Sequence, residues 1–399
     1  MLLFQVIRQI VLILTQFSSQ ELQKDAFLHM RFFRALIMAL RCSPPSHLSF
    51  SSPKLHKFAF NPSHAPSSLS PSHFSRRLNT SQTLKFPSKT RSITPVAEGI
   101  STELSEIYQS CKLWNWRGFK INYLVKGNGP PLLLVHGFGA SIPHWRRNIG
   151  ILSEKATVYA IDLLGFGASD KPPGFAYTME TWAQLILDFL AEVVKKPTVL
   201  VGNSVGSLAC VIAASESNGD LVRGLVLLNC AGGMNNKAIV DDWRIKLIMP
   251  LLWLVDFLLK QRRIASAIFE RVKQRENLKN ILVSVYGNKE AVDEDLIEII
   301  RRPADDDGAL DAFISTVTGP PGPSPISLMP KISVPVLVLW GDQDPFTPLD
   351  GPVGKYFSSL PSKIPNLELF ILPGTGHCPH DDRPDLVHEK LIPWLETTP

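Results

Sequence analysis

The sequence predicts an α/β protein, a doubly wound domain built on a mostly parallel sheet of eight strands with an inserted helical lid. Three observations lead there. From Cys111 onward, short unbroken apolar runs alternate with helical patterns. One of those runs, Pro197 to Val201, ends in Gly202-Asn203-Ser204-Val205-Gly206 and passes directly into a run of small and apolar residues. About a hundred residues without a strand signal then separate the run ending near Asn229 from the one starting near Val334. Unbroken apolar runs are typical of strands covered on both faces, and their alternation with helices gives parallel crossovers.

The elements follow in order. Lys112 to Arg117 and Lys120 to Val125 are expected to pair antiparallel, turning at Gly118-Phe119. Buried strands are expected at Pro131–Val135, Thr157–Ile161, Pro197–Val201, Leu225–Leu228, Val334–Leu339 and Leu367–Leu372. Helical patterns cover Tyr177–Val194, Ser204–Ser217, Leu349–Leu360 and Pro384–Leu395. The lid is expected over residues 232–330. Within it, Lys246–Lys260 is apolar but interrupted by Pro250 and Asp256, Lys260–Lys273 is basic and amphipathic, and Asn288–Arg302 reads as a third helix. Gly319-Pro320-Pro321-Gly322-Pro323 then returns the chain to the sheet. An insertion at this point would cover the carboxyl ends of the strands, where open α/β sheets bind ligands.

The first 97 residues differ from the rest. Met38 to Ala97 contains no Asp or Glu, is crowded with Ser and Pro, and carries basic residues such as Arg41, Lys54, Arg76 and Arg91. Such a segment cannot bury enough apolar surface to offset its ordering entropy, so disorder is expected. Basic, serine-rich and acid-poor is also the composition of an organelle transit peptide, with Met38 as an alternative start. Met1 to Phe17 is too short and too interrupted for a membrane span. Twelve of the 41 Lys/Arg and two of the 36 Asp/Glu fall in residues 1–97. The remainder, residues 98–399, holds 29 basic and 34 acidic groups, so the formal charge changes from +5 to −5 and gives no argument for nucleic acid binding. The five cysteines form no Cys-x-x-Cys pair, so neither a disulfide framework nor a metal site is expected.

The candidate chemistry centres on Ser204. A Gly-x-Ser-x-Gly turn between strand and helix holds the serine backbone strained and its hydroxyl outward, and the helix N-terminus favours negative charge there. Side chains at Gly202 or Gly206 would clash in so tight a turn. A serine hydroxyl needs a base, and His377 follows the last strand in Pro373-Gly374-Thr375-Gly376-His377. His144, His380 and His388 read as solvated or supporting residues. The base in turn needs an acid to fix its tautomer. Asp342 and Asp344 compete in Trp340-Gly341-Asp342-Gln343-Asp344. A side chain directly after Gly341 suits capping its own turn, so Asp344 is favoured as the acid. The backbone N–H groups of Phe138 and Val205 are the candidate oxyanion donors, each typically contributing roughly 3–4 kcal/mol of barrier lowering. His136, Gly137 and Gly139 shape the Phe138 loop.

These motifs, together with Asp162-Leu163-Leu164-Gly165-Phe166-Gly167-Ala168-Ser169 and Gly376-His377-Cys378-Pro379, resemble the α/β-hydrolase superfamily from about Leu113 to Leu395. The order Ser, Asp, His is that superfamily's order. Gly202 to Ala209 and Gly376 to Asp381 look most similar to a plastid branch that holds chlorophyll dephytylases and pheophytinases. The resemblance implies hydrolysis of the phytyl ester of chlorophyll, giving chlorophyllide and phytol, without a cofactor, in the chloroplast and at a thylakoid membrane surface. Leu247–Leu259, followed by Lys260, Arg262 and Arg263, is then the expected interfacial element. Pheophytin or another plastid ester as substrate, and a ligand receptor that keeps the triad without turnover, stay open as alternatives. Dehalogenase or epoxide hydrolase chemistry would need Asp at position 204.

Overall fold

Apolar residues in the central strands alternate between two separate cores, which is why the sequence there reads as unbroken hydrophobic runs. Leu133 and Val135 enter one core and Leu132 and Leu134 the other; Leu200 and Val199 divide in the same way. The computed structural model describes residues 101–217, 219–235 and 253–398. All of these belong to one of the chain's two compact units; the other, Phe17–Pro95, lies outside the described residues, as do the expected leader and Met1–Phe17.

Eight strands form one sheet in the order β1-β2-β4-β3-β5-β6-β7-β8. They are β1 (Lys112–Trp116), β2 (Phe119–Lys126), β3 (Pro131–Val135), β4 (Thr157–Ile161), β5 (Thr198–Asn203), β6 (Val222–Leu228), β7 (Val336–Gly341) and β8 (Leu367–Leu372). β2 pairs antiparallel with both β1 and β4, and every other pairing is parallel. The hairpin turns one residue earlier than expected, at Arg117-Gly118, because both residues adopt positive φ (53° and 91°) and Phe119 already pairs with Trp116.

Helices α1 (Thr102–Ser110), α2 (Arg146–Leu152), α3 (Met179–Phe189) and α4 (Val205–Glu216) precede the insertion. α3 ends in a widened turn, Leu190–Val194, closed by Lys195 in the left-handed conformation. Ile149 and Leu152 of α2 bury in one core, while Trp182 and Ile186 of α3 and Leu208 and Ile212 of α4 bury in the other. The chain leaves β3 for its β4 neighbour and later returns to β5 on the other side of β3. The carboxyl ends of β3 and β5 therefore form a topological switch point, where such sheets open a ligand crevice.

Between β6 and β7 no described residue is in a strand. Residues 236–252 lie outside the described residues, so the expected Lys246–Lys260 helix is seen only from residue 253 to 260. Helices α5 (Arg262–Val272), α6 (Arg275–Val285), α7 (Glu294–Arg301) and α8 (Ala309–Thr318) follow. The expected single helix over Asn288–Arg302 is broken. A 3₁₀ turn at Lys289–Ala291 comes first, and α7 starts only after Asp293, whose carboxylate accepts from the Leu296 N–H. After β7, α9 (Pro352–Ser358) is shorter than expected, and α10 (Pro384–Thr397) covers the α2 side of the sheet.

Candidate active site

Ser204 sits between β5 and α4 with φ 56° and ψ −121°, a left-handed conformation that a residue with a β-carbon adopts only under strain. The flanking glycines permit it. A Cβ on Gly202 would lie 2.5 Å from the Ser207 nitrogen, and one on Gly206 would lie 2.4 Å from the His136 carbonyl oxygen. Both obstacles are backbone and cannot move aside. The bend lifts the Ser204 side chain out of the sheet, leaving it partly exposed between fully buried neighbours.

Three residues from distant parts of the chain meet there. His377 Nε2 lies 2.8 Å from Ser204 Oγ, and His377 Nδ1 lies 2.8 Å from Asp344 Oδ2. A carboxylate can only accept, so Nδ1 carries the ring proton and Nε2 presents its lone pair to the serine hydroxyl. Asp344 comes from the loop after β7 and His377 from the loop after β8, and both are buried. Asp342 points elsewhere: its carboxylate accepts from the Thr375 N–H, steadying the loop that leads to His377.

Asp344 is held as an anion by its donors. The Thr347 hydroxyl and the Asn229 amide reach Oδ2 at 2.5 Å and 2.6 Å, and the Phe346 and Thr347 N–H groups reach Oδ1 at 2.7 Å and 3.1 Å. Burial alone would raise its pKa. The adjacent His377 imidazole and these hydrogen bonds outweigh burial and bring it down to about 2. The carboxylate is thus ionised wherever the protein operates near neutrality.

Two asparagines that the sequence reading passed over hold this arrangement. Asn229, at the end of β6 with φ 45°, donates to Asp344 and accepts from the Gly341 N–H, so one side chain fixes both Asp344 and its loop. Asn203, directly before Ser204, donates to the His377 carbonyl at 3.0 Å and so ties the Ser204 strand to the His377 loop. An asparagine at a strand end carries no periodicity. The only available cue was its place beside the serine or at the end of a buried run.

The Gly137–Phe138 loop lies against the serine turn, since a Cβ on Gly137 would be 3.3 Å from the Ser204 Cβ. His136 is fully buried and shapes the loop: its Nδ1–H donates to the Gly137 carbonyl at 2.7 Å, and its Nε2 accepts from the Leu163 N–H. Burial lowers its pKa, in keeping with a neutral ring. Val205 opens α4 directly after Ser204, and Phe138 follows Gly137 in the loop after β3, so the two backbones come from the two strands of the switch point. Phe138 packs against Phe166 and Phe313, beside an apolar cavity of about 120 Å³ that is also lined by Phe269, Val272 and Ile300. The insertion thus supplies one wall of the cavity and the Phe138 loop the other.

The remaining histidines among the described residues are less solvated than the sequence suggests. His144 and His380 are buried against each other, and His388, partly buried, reaches the Asn148 side chain. Among the described residues, no group of three or more His, Cys, Asp or Glu is placed to hold a metal ion, and Cys111, Cys210, Cys230 and Cys378 are free thiols.

Comparison with known proteins agrees with this architecture. An uncharacterised hydrolase of Bacillus subtilis, YugF, is 28% identical over 267 residues, covering 66% of this chain and 89% of its own. The chloroplastic pheophytinase of Arabidopsis thaliana is 27% identical over 312 residues, covering 67% of this chain and 62% of its own. Among solved structures, a serine hydrolase involved in carbazole degradation superposes with a TM-score of 0.56 at 23% identity, over 72% of this chain and 98% of that one. Residues 130–384 match the profile of the alpha/beta hydrolase fold, and the chain belongs to that family of hydrolases.

Proposed function

We propose that this hydrolase cleaves carboxylic esters through an acyl-enzyme on Ser204, with a phytylated pigment, chlorophyll or pheophytin, as substrate. The observation that carries the reading is the unbroken chain Ser204 Oγ, His377 Nε2, His377 Nδ1, Asp344 Oδ2, with both contacts at 2.8 Å. His377 takes the serine proton as Oγ attacks the ester carbonyl, and Asp344 stabilises the imidazolium. The Val205 and Phe138 N–H groups receive the developing oxyanion, aided by the α4 N-terminus. His377 then returns the proton to the leaving alcohol and activates the water that frees Ser204.

Three features support an apolar, plastid substrate. The cavity beside Phe138 is lined mainly by carbon, and a plastid pigment accords with the pheophytinase relative, chloroplastic by name, and with the transit-peptide composition of Met38–Ala97. Residues 253–260 add an interfacial element: Trp253 and Phe257 are 68% and 60% exposed, next to Lys260, Arg262 and Arg263. Such a face suits the surface of an anionic thylakoid lipid. Trp253→Asp with Phe257→Asp is expected to abolish co-sedimentation with vesicles of thylakoid lipids; unchanged sedimentation removes the interfacial role.

The deciding experiment incubates the full chain with chlorophyll a and pheophytin a in detergent micelles and resolves phytol and the dephytylated pigments by chromatography. Ser204→Ala and His377→Ala are expected to stop release while the fold persists, and release by either variant rejects the mechanism. Turnover of simple esters alone leaves a carboxylesterase. Ligand binding without turnover of any ester leaves a receptor.

A further inference from the structure

The loop that carries His377 rests on the insertion. The His377 N–H donates to the Val285 carbonyl at the end of α6, and a Cβ on Gly376 would lie 2.1 Å from that same oxygen. The Asp382 carboxylate accepts from the N–H groups of Gly287 and Asn288 on one side and of Gly376 on the other. Between these two attachments stands Tyr286, 1% exposed.

The Tyr286 hydroxyl is 3.0 Å from Asp381 Oδ2 and 2.8 Å from His144 Nε2, and His144 Nδ1 is 3.3 Å from His380 Nε2. Only one direction satisfies this row. Asp381 accepts only, so the phenol donates to it and must itself accept from His144 Nε2–H. His144 Nδ1 is then a lone pair, and His380 Nε2–H donates to it. His380 Nδ1 is left bare, and it has no partner. Arg146 Nε, at 3.2 Å, holds the other oxygen of Asp381. Burial keeps both imidazoles neutral, His144 at about 4 and His380 well below its ordinary value, as the row requires.

We propose that Tyr286, a residue of the insertion, is a positioning residue for His377, closing a one-way row of hydrogen bonds, His380 to His144 to Tyr286 to Asp381, that fixes the base's loop against the nucleophile. His380 and Asp381 stand three and four residues beyond His377, so the row grips the loop at its far end while the Val285 carbonyl grips it at His377 itself. The inference rests on the reading of Ser204, His377 and Asp344 as the catalytic chain. Misplacing a reacting group by about 1 Å can cost on the order of a hundredfold in rate.

The test is Tyr286→Phe in the full chain, which keeps the ring and deletes only the hydroxyl, with His144→Leu as a second variant that breaks the row from the sheet side. Hydrolysis of p-nitrophenyl acetate and p-nitrophenyl dodecanoate is measured, together with the rate at which diisopropyl fluorophosphate labels Ser204. The expected result is a fall in kcat of about 10- to 100-fold on both esters and an equal fall in labelling rate, with KM within about threefold. A residue that merely roofs the substrate cavity would instead raise KM for the dodecanoate and leave acetate turnover and labelling untouched, and that result overturns the proposal. So does wild-type kcat in both variants. If the wild-type chain is not labelled at Ser204, the catalytic reading itself fails, and the proposal with it.

Discussion

Replacing Asp344 by Asn tests the acid's role and its surroundings together. The carboxylate receives five donors: His377, Asn229 and Thr347 on Oδ2, and the Phe346 and Thr347 N–H groups on Oδ1. An amide has one oxygen, so its NH₂ must face donors in either orientation. The less costly orientation keeps oxygen at Oδ2 and turns NH₂ toward the two backbone N–H groups, leaving both unpaired. At about 1–3 kcal/mol for each buried orphan, Asp344→Asn is expected to lose roughly 2–6 kcal/mol of stability, a large share of the ~5–15 kcal/mol typical of a domain. The catalytic loss is separate. The remaining Oδ2 contact preserves the His377 tautomer but not the charge that stabilises its imidazolium, and kcat should fall by about 10²–10³, or roughly 2.7–4 kcal/mol of barrier. Urea unfolding gives the first quantity and p-nitrophenyl acetate turnover, at a temperature where the variant is folded, the second. Turnover within tenfold of wild type would refute the assignment of Asp344, and unchanged stability would refute the count of donors.

Further expectations follow from other contacts. Gly206→Ala places a Cβ 2.4 Å from the His136 carbonyl oxygen and 2.5 Å from that of Val135, so urea titration should show a loss of at least about 1–3 kcal/mol. Phe313→Trp enlarges a wall of the cavity beside Phe138 and should raise KM for the dodecanoate ester several-fold while acetate turnover holds. His144 bears on pH. Its folded pKa of about 4 lies below the 6.5 of the unfolded chain, so between these values the unfolded state binds the extra proton. Stability from this group is therefore full above pH 6.5 and lost as pH falls toward 4, by on the order of 3 kcal/mol; His144→Leu should flatten that part of the urea-midpoint profile.

The sheet was legible because a strand buried on both faces has no polar alternative: Pro131–Val135 and Leu225–Leu228 could hardly be read otherwise. The serine turn was legible because a glycine on each side of a strained serine forms one short pattern, although Gly202 is compelled by the nearby Ser207 backbone and Gly206 by the distant His136 and Val135 carbonyls. The insertion was harder. α6 is anchored by Leu278, Leu282 and Val285, a helical spacing present in the sequence but diluted by the charged and polar residues around it. α8 contains Ile314, Thr316, Val317 and Thr318, β-branched residues whose local preference runs against helix and which tertiary packing overrides. The break at Asn288–Arg302 came from an aspartate cap, Asp293, which a reading by apolar period does not register.

The residues that escaped notice share one property: their partners are far away in the chain. Asn203 reaches His377, Asn229 reaches Asp344, and Tyr286 reaches His144 and Asp381, over separations of 95 to 174 residues. A local motif encodes what the backbone needs at one place, such as glycine beside a strained serine. The orientation of a base that enters from another loop is encoded by whatever side chain happens to stand opposite it in the fold. Here those side chains are buried amides and a phenol. Their neutral groups meet the hydrogen-bonding needs of the acid and the base's loop without bringing another charge beside Asp344. The same logic makes the insertion more than a cover. Its Val285–Asn288 turn supplies four polar contacts to the loop of the base, through the Val285 carbonyl, the Tyr286 hydroxyl and the Gly287 and Asn288 N–H groups, so any displacement of the insertion's root also moves His377 relative to Ser204.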